Sequence, residues 1–120
     1  MNEVVLAILV ALAGGAGATL RFVIDVSIPK EVRAKFPWGT WVINISGSFV
    51  LGLIAGPLIG VTWGPIFTVG FLGGYTTFSS ASLETVSLAE DGKWKRALFY
   101  GVGTLVICVV AALGGIAITA

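Results

Sequence analysis

A few polar side chains stand among residues that are otherwise Ala, Val, Ile, Leu, Gly and Phe. They are Arg21, Asn44, Ser46, the group Thr76, Thr77, Ser79, Ser80, Ser82 and Glu84, and the series Tyr100, Thr104 and Cys108. The members of that series recur every four residues, so on a helix they share one face over roughly 12 Å. What these side chains offer is mainly uncharged hydrogen-bond donation: two N–H groups from Asn, one O–H from each Ser, Thr or Tyr, a weak S–H from Cys. Phe78, between Thr77 and Ser79, adds a ring with a positive edge and a negative face. Donors and ring edges together suit a small, strongly hydrated anion that must shed its water. Glu84 falls toward the end of its apolar stretch, outside the deep part of such a path. Each residue also has a plainer use. Asn44 can tie two helices together, a single Ser or Thr can bond back to its own helix, and Arg21 can snorkel to headgroups instead of attracting an anion.

Catalytic chemistry is poorly served. The 120 residues include no His, one Cys and no pair of carboxylates within an apolar run, so acid–base and metal-assisted reactions lack their usual groups. The chain is read as not an enzyme. A formal net charge of +1 gives no basic surface for nucleic acid, and the lone Cys108 allows no disulfide within the chain.

The elements that position these residues follow from hydropathy. Hydrophobic residues make up 57% of the chain and charged ones 11%, against about 25% charged in a typical soluble domain; mean hydropathy is +1.02. Four apolar runs, about 4–24, 38–58, 66–88 and 97–118, approach or exceed the roughly 20 residues a helix needs to cross a bilayer. The first is too long, and lacks the basic flank, for a signal peptide. The expected architecture is one all-α transmembrane domain of four spans in contact with lipid. Segment 25–37, polar and Pro-bounded, reads as a loop, and 89–96 as a charged, solvated link. Trp38, Trp41 and Trp63 sit near span ends, where such rings favour the headgroup level. Both basic segments, with Lys30, Arg33 and Lys35 in one and Lys93, Lys95 and Arg96 in the other, fall on the same side of a four-span bundle. The positive-inside rule places 25–37 and 89–96 in the cytoplasm of a cell-membrane protein.

Seventeen glycines are about twice the usual share of roughly 7%. Gly52, Gly56, Gly60 and Gly64 repeat at intervals of four, as do Gly70 and Gly74, a spacing that lets helix backbones approach closely in lipid. Gly73-Gly74 is followed by Tyr75-Thr76-Thr77, a weak helical sequence. Two readings stand: an intact helix decorated with Thr, or a break whose freed carbonyls face protein or a cavity and can ligate a cation.

Three blocks carry a resemblance. Gly-Gly-Ala-Gly-Ala-Thr-Leu-Arg (14–21), Pro-Trp-Gly-Thr-Trp-Val-Ile-Asn-Ile-Ser-Gly-Ser-Phe (37–49) and Gly-Phe-Leu-Gly-Gly-Tyr-Thr-Thr-Phe-Ser-Ser (70–80) resemble, in order and spacing, the signature blocks of the Fluc (CrcB-type) fluoride channels. The resemblance covers essentially the whole chain. It implies a passive, fluoride-selective channel that exports cytoplasmic fluoride and relieves its toxicity. It further implies an antiparallel dimer with two pores, each lined by both subunits, a broken third helix, and a structural sodium ion at the dimer centre. By motif position, Gly73 and Thr76 would hold the sodium through backbone carbonyls. The anion path would involve Asn44, Phe78, Ser79, Ser80, Tyr100, Thr104, Cys108 and, near its mouth, Arg21.

Two departures qualify that pattern. Where the family runs Thr-Thr-Phe-Ser-Thr-Phe-Ser, this chain has Thr-Thr-Phe-Ser-Ser-Ala-Ser, so a methyl at Ala81 replaces a second aromatic ring, and Cys108 stands where Ser or Thr is usual. The one-sided Lys/Arg distribution favours a single orientation, which points to an oppositely oriented paralogue as an alternative to a second copy. Two other functions compete: a non-conducting or partly conducting subunit of such a pair, and a small multidrug cation/proton exporter. The exporter needs an ionisable group deep in the membrane, and the first run offers only Glu3 at its start.

Overall fold

A computed structural model describes residues 2–35 and 38–119, apart from the side chains of residues 33–35 and 78–80. The described chain is helical throughout. Helix α1 (Glu3–Ser27) begins where the Asn2 side chain accepts the Val4 amide at 2.7 Å, the capping bond that Asn is well suited to supply. It ends at Ile28, whose extended backbone is the conformation favoured before a proline, here Pro29. Segment 25–37, expected as a loop, is in part helical: α1 runs through Ser27 and a six-residue α2 (Lys30–Lys35) follows. Pro29, whose carbonyl accepts the Val32 amide at 3.1 Å, is preset for a first helical turn. So short a helix needs no apolar periodicity, which is why hydropathy misses it.

Helix α3 (Trp38–Leu58) contains Pro57 in its last turn, and Gly60, with φ +78°, turns the chain. The next stretch opens as a wide π-helical segment, Ile66–Phe71, in which the Leu72 amide reaches back five residues to the Phe67 carbonyl. It tightens into α4 (Leu72–Tyr75) and then stops: Thr76 is extended, with φ −80° and ψ 157°. Helix α5 (Phe78–Glu90) resumes after Thr77. Of the two readings of this segment, the broken one is the structure's, with the interruption at Thr76–Thr77 instead of at the glycine pair. Helix α5 closes with paired bonds from the Gly92 amide to the Ala89 carbonyl (3.0 Å) and from Lys93 to Leu88 (2.9 Å). This is the Schellman arrangement, and it requires the positive φ that Gly92 supplies at +77°. Helix α6 (Trp94–Thr119) completes the chain.

Helices α1, α3 and α6 are 25, 21 and 26 residues long and apolar enough to cross a membrane. Most of their large side chains, among them Val4, Leu12, Phe22, Leu105 and Leu113, face outward. The buried apolar core is small, built on Ile43, Leu72 and Tyr75 with Ile24, Ile54 and Phe71 packed against it. Side chains distributed this way leave the apolar surface to lipid.

Close backbone contacts show how the helices run. Gly70 abuts Val10 and Ala13, and Gly74 abuts Gly14, where an added methyl would sit 2.8 Å from the Gly14 Cα. Helix α1 and the 66–75 segment are therefore parallel neighbours. Trp41 and Phe99 lie 6.4 Å apart between ring centroids, and Gly52 abuts Ala112, so α3 and α6 are also parallel. The end of α1 meets the start of α3 at Asp25 and Gly39, making those two antiparallel. The expected glycine ladder holds for Gly70 and Gly74 but not beyond Gly52 in the other series. Gly56 has open space beside it, and Gly60 and Gly64 lie past the end of α3.

Candidate functional site

Asn44 lies in the second turn of α3 and is buried at 8% exposure. Its Nδ2 donates to the Thr77 carbonyl at 3.0 Å, and its Oδ1 accepts the Thr77 amide at 2.8 Å. In a continuous helix that amide would donate to the Gly73 carbonyl four residues back. One side-chain amide thus answers both backbone groups of Thr77 where the helix stops, and each such group left unanswered in lipid would cost several kcal/mol. Next to it, the Tyr75 hydroxyl and Ser46 Oγ share a bond of 2.8 Å, and the Tyr75 ring stacks on Phe71 at an interplanar angle of 11°.

Beside this anchor runs a groove of about 640 Å³ walled by α3, the break, α5 and α6. It brings together Asn44, Gly73, Thr76, Tyr100, Thr104 and Cys108, residues singled out from sequence, and it is also lined by Ala81. Arg21 is not brought to it: α1 contributes nothing to the lining among the described residues. Phe78, Ser79 and Ser80 open α5, but their side chains lie outside the described residues.

The donors along the groove are unequally available. Thr104 Oγ1 donates to the Tyr100 carbonyl, Thr85 Oγ1 to the Ala81 carbonyl at 2.8 Å, and Thr76 Oγ1 to the Leu72 carbonyl at 2.8 Å. The Tyr100 side chain is fully buried, and its hydroxyl donates to Glu84 Oε2 at 2.8 Å. Thr40 Oγ1 donates to Glu84 Oε1 at 3.0 Å. Asn44 keeps its second N–H beyond the one given to Thr77, and Ser48 and Ser82 add hydroxyls to the lining.

Sequence reasoning missed three of these features. Glu84 is not a bystander near a span end but the acceptor that joins α3, α5 and α6. Thr40 and Ser48 drew no notice because each lies one helical turn from Asn44 and looks like ordinary helix decoration. A usable signal existed for Glu84: a carboxylate beside an apolar run needs donors, and Tyr100 and Thr40 are among the few within reach.

The break also bears on a cation. Because the Thr77 amide turns to Asn44 and Thr76 is extended, the Gly73 and Thr76 carbonyls lie where the regular helical bonding pattern is interrupted. Neutral carbonyl oxygens suit a hard monovalent ion, whereas among the described residues no cluster of three His, Cys, Asp or Glu is available for other metals. The chemistry of these two oxygens is compatible with a hard monovalent cation such as sodium.

The model of the family described as CrcB-like protein, Camphor Resistance (CrcB) matches residues 8–116. Among similar proteins, Fluoride-specific ion channel FluC 1 of Leifsonia xyli subsp. xyli is 45% identical, over 91% of this chain and 86% of its own length. Fluoride-specific ion channel FluC of Opitutus terrae is 44% identical, over 90% and 88% respectively. Fluoride-specific ion channel FluC 3 of Brucella suis biovar 1 is 41% identical, over 90% and 86%.

Proposed function

This chain belongs to the CrcB-like family, and we propose that it is a passive, fluoride-specific channel of the cell membrane through which cytoplasmic fluoride leaves the cell. It is a multi-pass membrane protein and not an enzyme. The observation that carries the reading is the groove in which Asn44, Thr104 and the neighbouring hydroxyls converge beside a helix break. Each uncharged donor can replace one water of a dehydrating anion, and none binds so strongly that the ion is trapped. The anion moves down its electrochemical gradient, handed from the free N–H of Asn44 to the hydroxyls of Ser48 and Ser82 and on past Thr104. By motif position Phe78, Ser79 and Ser80, at the start of α5, belong to the path, and Cys108 continues it along α6.

The segments 66–75 and 78–90 together make the remaining span of a four-span bundle, with the basic segments in the cytoplasm. The groove is open along one side, where a second chain would close it, and the working unit in this reading is an antiparallel dimer. Sodium at the break, held by the Gly73 and Thr76 carbonyls, would supply a fixed positive charge there. Ala81 in the groove wall and the one-sided Lys/Arg distribution support a second reading of the dimer: an oppositely oriented paralogue provides the other half. Topology reporters on the C-terminus test this, and equal signal from both sides of the membrane removes the paralogue reading.

The channel itself is tested with Asn44→Asp in liposomes loaded with fluoride. A carboxylate at position 44 sets an anionic oxygen against the Thr77 carbonyl and a negative charge on the path, so efflux should fall to the leak of empty liposomes. Efflux equal to that of the unaltered chain would remove Asn44 from the path.

A further inference from the structure

Asp25 lies in the last turn of α1, against the first turn of α3. A methyl on Gly39 would collide with Asp25 Oδ1 and come within 3.3 Å of both the Asp25 Cα and the Ile28 Cδ1. Gly39 is buried, and the next residue, Thr40, is 5% exposed. Thr40 in turn donates to Glu84, which accepts from the Tyr100 hydroxyl, and Tyr100 forms one end of the groove wall. The contacts run in series across the bundle: α1 carboxylate on α3 backbone, α3 hydroxyl on α5 carboxylate, α5 carboxylate on α6 phenol.

We propose that Asp25 is a positioning residue for the anion path, which by seating on Gly39 sets the first turn of α3 and through Thr40 and Glu84 fixes Tyr100. Gly39 is the other half of the seat, because any larger residue would push α1 from α3. The carboxylate acts here by its shape. An isosteric amide keeps the seat, whereas a methyl leaves a gap that lets the start of α3 shift.

This rests on the fluoride-channel reading, and its test separates the two. Asp25→Asn, Asp25→Ala, Gly39→Ala and the double variant Asp25→Ala/Gly39→Ala are purified, and folded yield is measured for each. Fluoride efflux per reconstituted protein is then compared, and the Tyr100 ring is followed by the 13Cζ resonance of labelled tyrosine. The chain has two tyrosines, and Tyr75→Phe assigns the signals. Asp25→Asn should stay within about twofold of the parent, while Asp25→Ala should lose about fivefold of its efflux at unchanged folded yield, in the range of coupling energies for groups acting in series. The Tyr100 resonance should move in Asp25→Ala and not in Asp25→Asn. The double variant should conduct better than either single one, since the new methyl fills the space the carboxylate left. A purely structural role would lower folded yield without moving the tyrosine signal. Asp25→Ala matching the parent in both efflux and resonance overturns the proposal, as does a double variant no better than Gly39→Ala. If Gly39→Ala does not fold, the Asp25 pair alone decides. Absence of efflux from the unaltered chain would count against the channel reading, and the tyrosine signal would still report on the seat.

Discussion

Two polar anchors hold this bundle, and they are built in opposite ways. At the helix break, one side chain, Asn44, answers two backbone groups of a single residue, Thr77. At the other anchor, one carboxylate, Glu84, accepts from two side chains on different helices, Thr40 and Tyr100. The first repairs main chain that would otherwise face lipid unbonded. The second ties three helices through one carboxyl group that accepts two hydroxyls. The teaching is that main-chain defects in a membrane demand a fixed, bidentate partner, while a side-chain charge tolerates a looser set of donors.

The contrast can be broken by substitution. Asn44→Leu keeps the branched shape and leaves both Thr77 groups unanswered, at several kcal/mol each in lipid, so fluoride efflux should fall about a hundredfold or more, read in liposomes. Retained efflux would mean that the break supports itself. Gly74→Ala tests the seat of the same break on α1: with its methyl 2.8 Å from the Gly14 Cα, overpacking should cost about 1–3 kcal/mol, measured by thermal unfolding in detergent. Tyr100→Phe keeps the ring and removes one of two donors to Glu84. Because Thr40 remains, the loss should be about 1 kcal/mol of stability and a fall in efflux smaller than for Asn44→Leu. An effect as large as that of Asn44→Leu would erase the distinction between the anchors.

Much of this was legible in the amino-acid sequence, and the gaps have physical reasons. The long helices follow from the apolar runs at about 4–24, 38–58 and 97–118. The series Tyr100, Thr104, Cys108 does line one face, a consequence of helical spacing, whereas the meeting of Asn44 with Thr77 at the break is a tertiary contact that spacing does not give. What could not be read was the direction of each hydroxyl. Thr104 bonds back to the carbonyl one turn earlier on its own helix, whereas Tyr100 gives its proton to a carboxylate brought there by tertiary packing. Helix α2 was missed because it is too short for periodicity, and the Gly56–Gly64 ladder misled because a repeat of four says nothing once the helix has ended. The role of Glu84 was hidden by its position in the sequence: its partner Thr40 lies 44 residues away.

The wide turn at Ile66–Phe71 acts as a one-residue phase insert. If the same residues closed to ordinary helix, all that follows would rotate by about 100° and shift by about 1.5 Å. The Thr77 amide would then point away from α3, and Gly74 would no longer face Gly14. The width of that one turn is therefore as tightly set as any side chain in the groove.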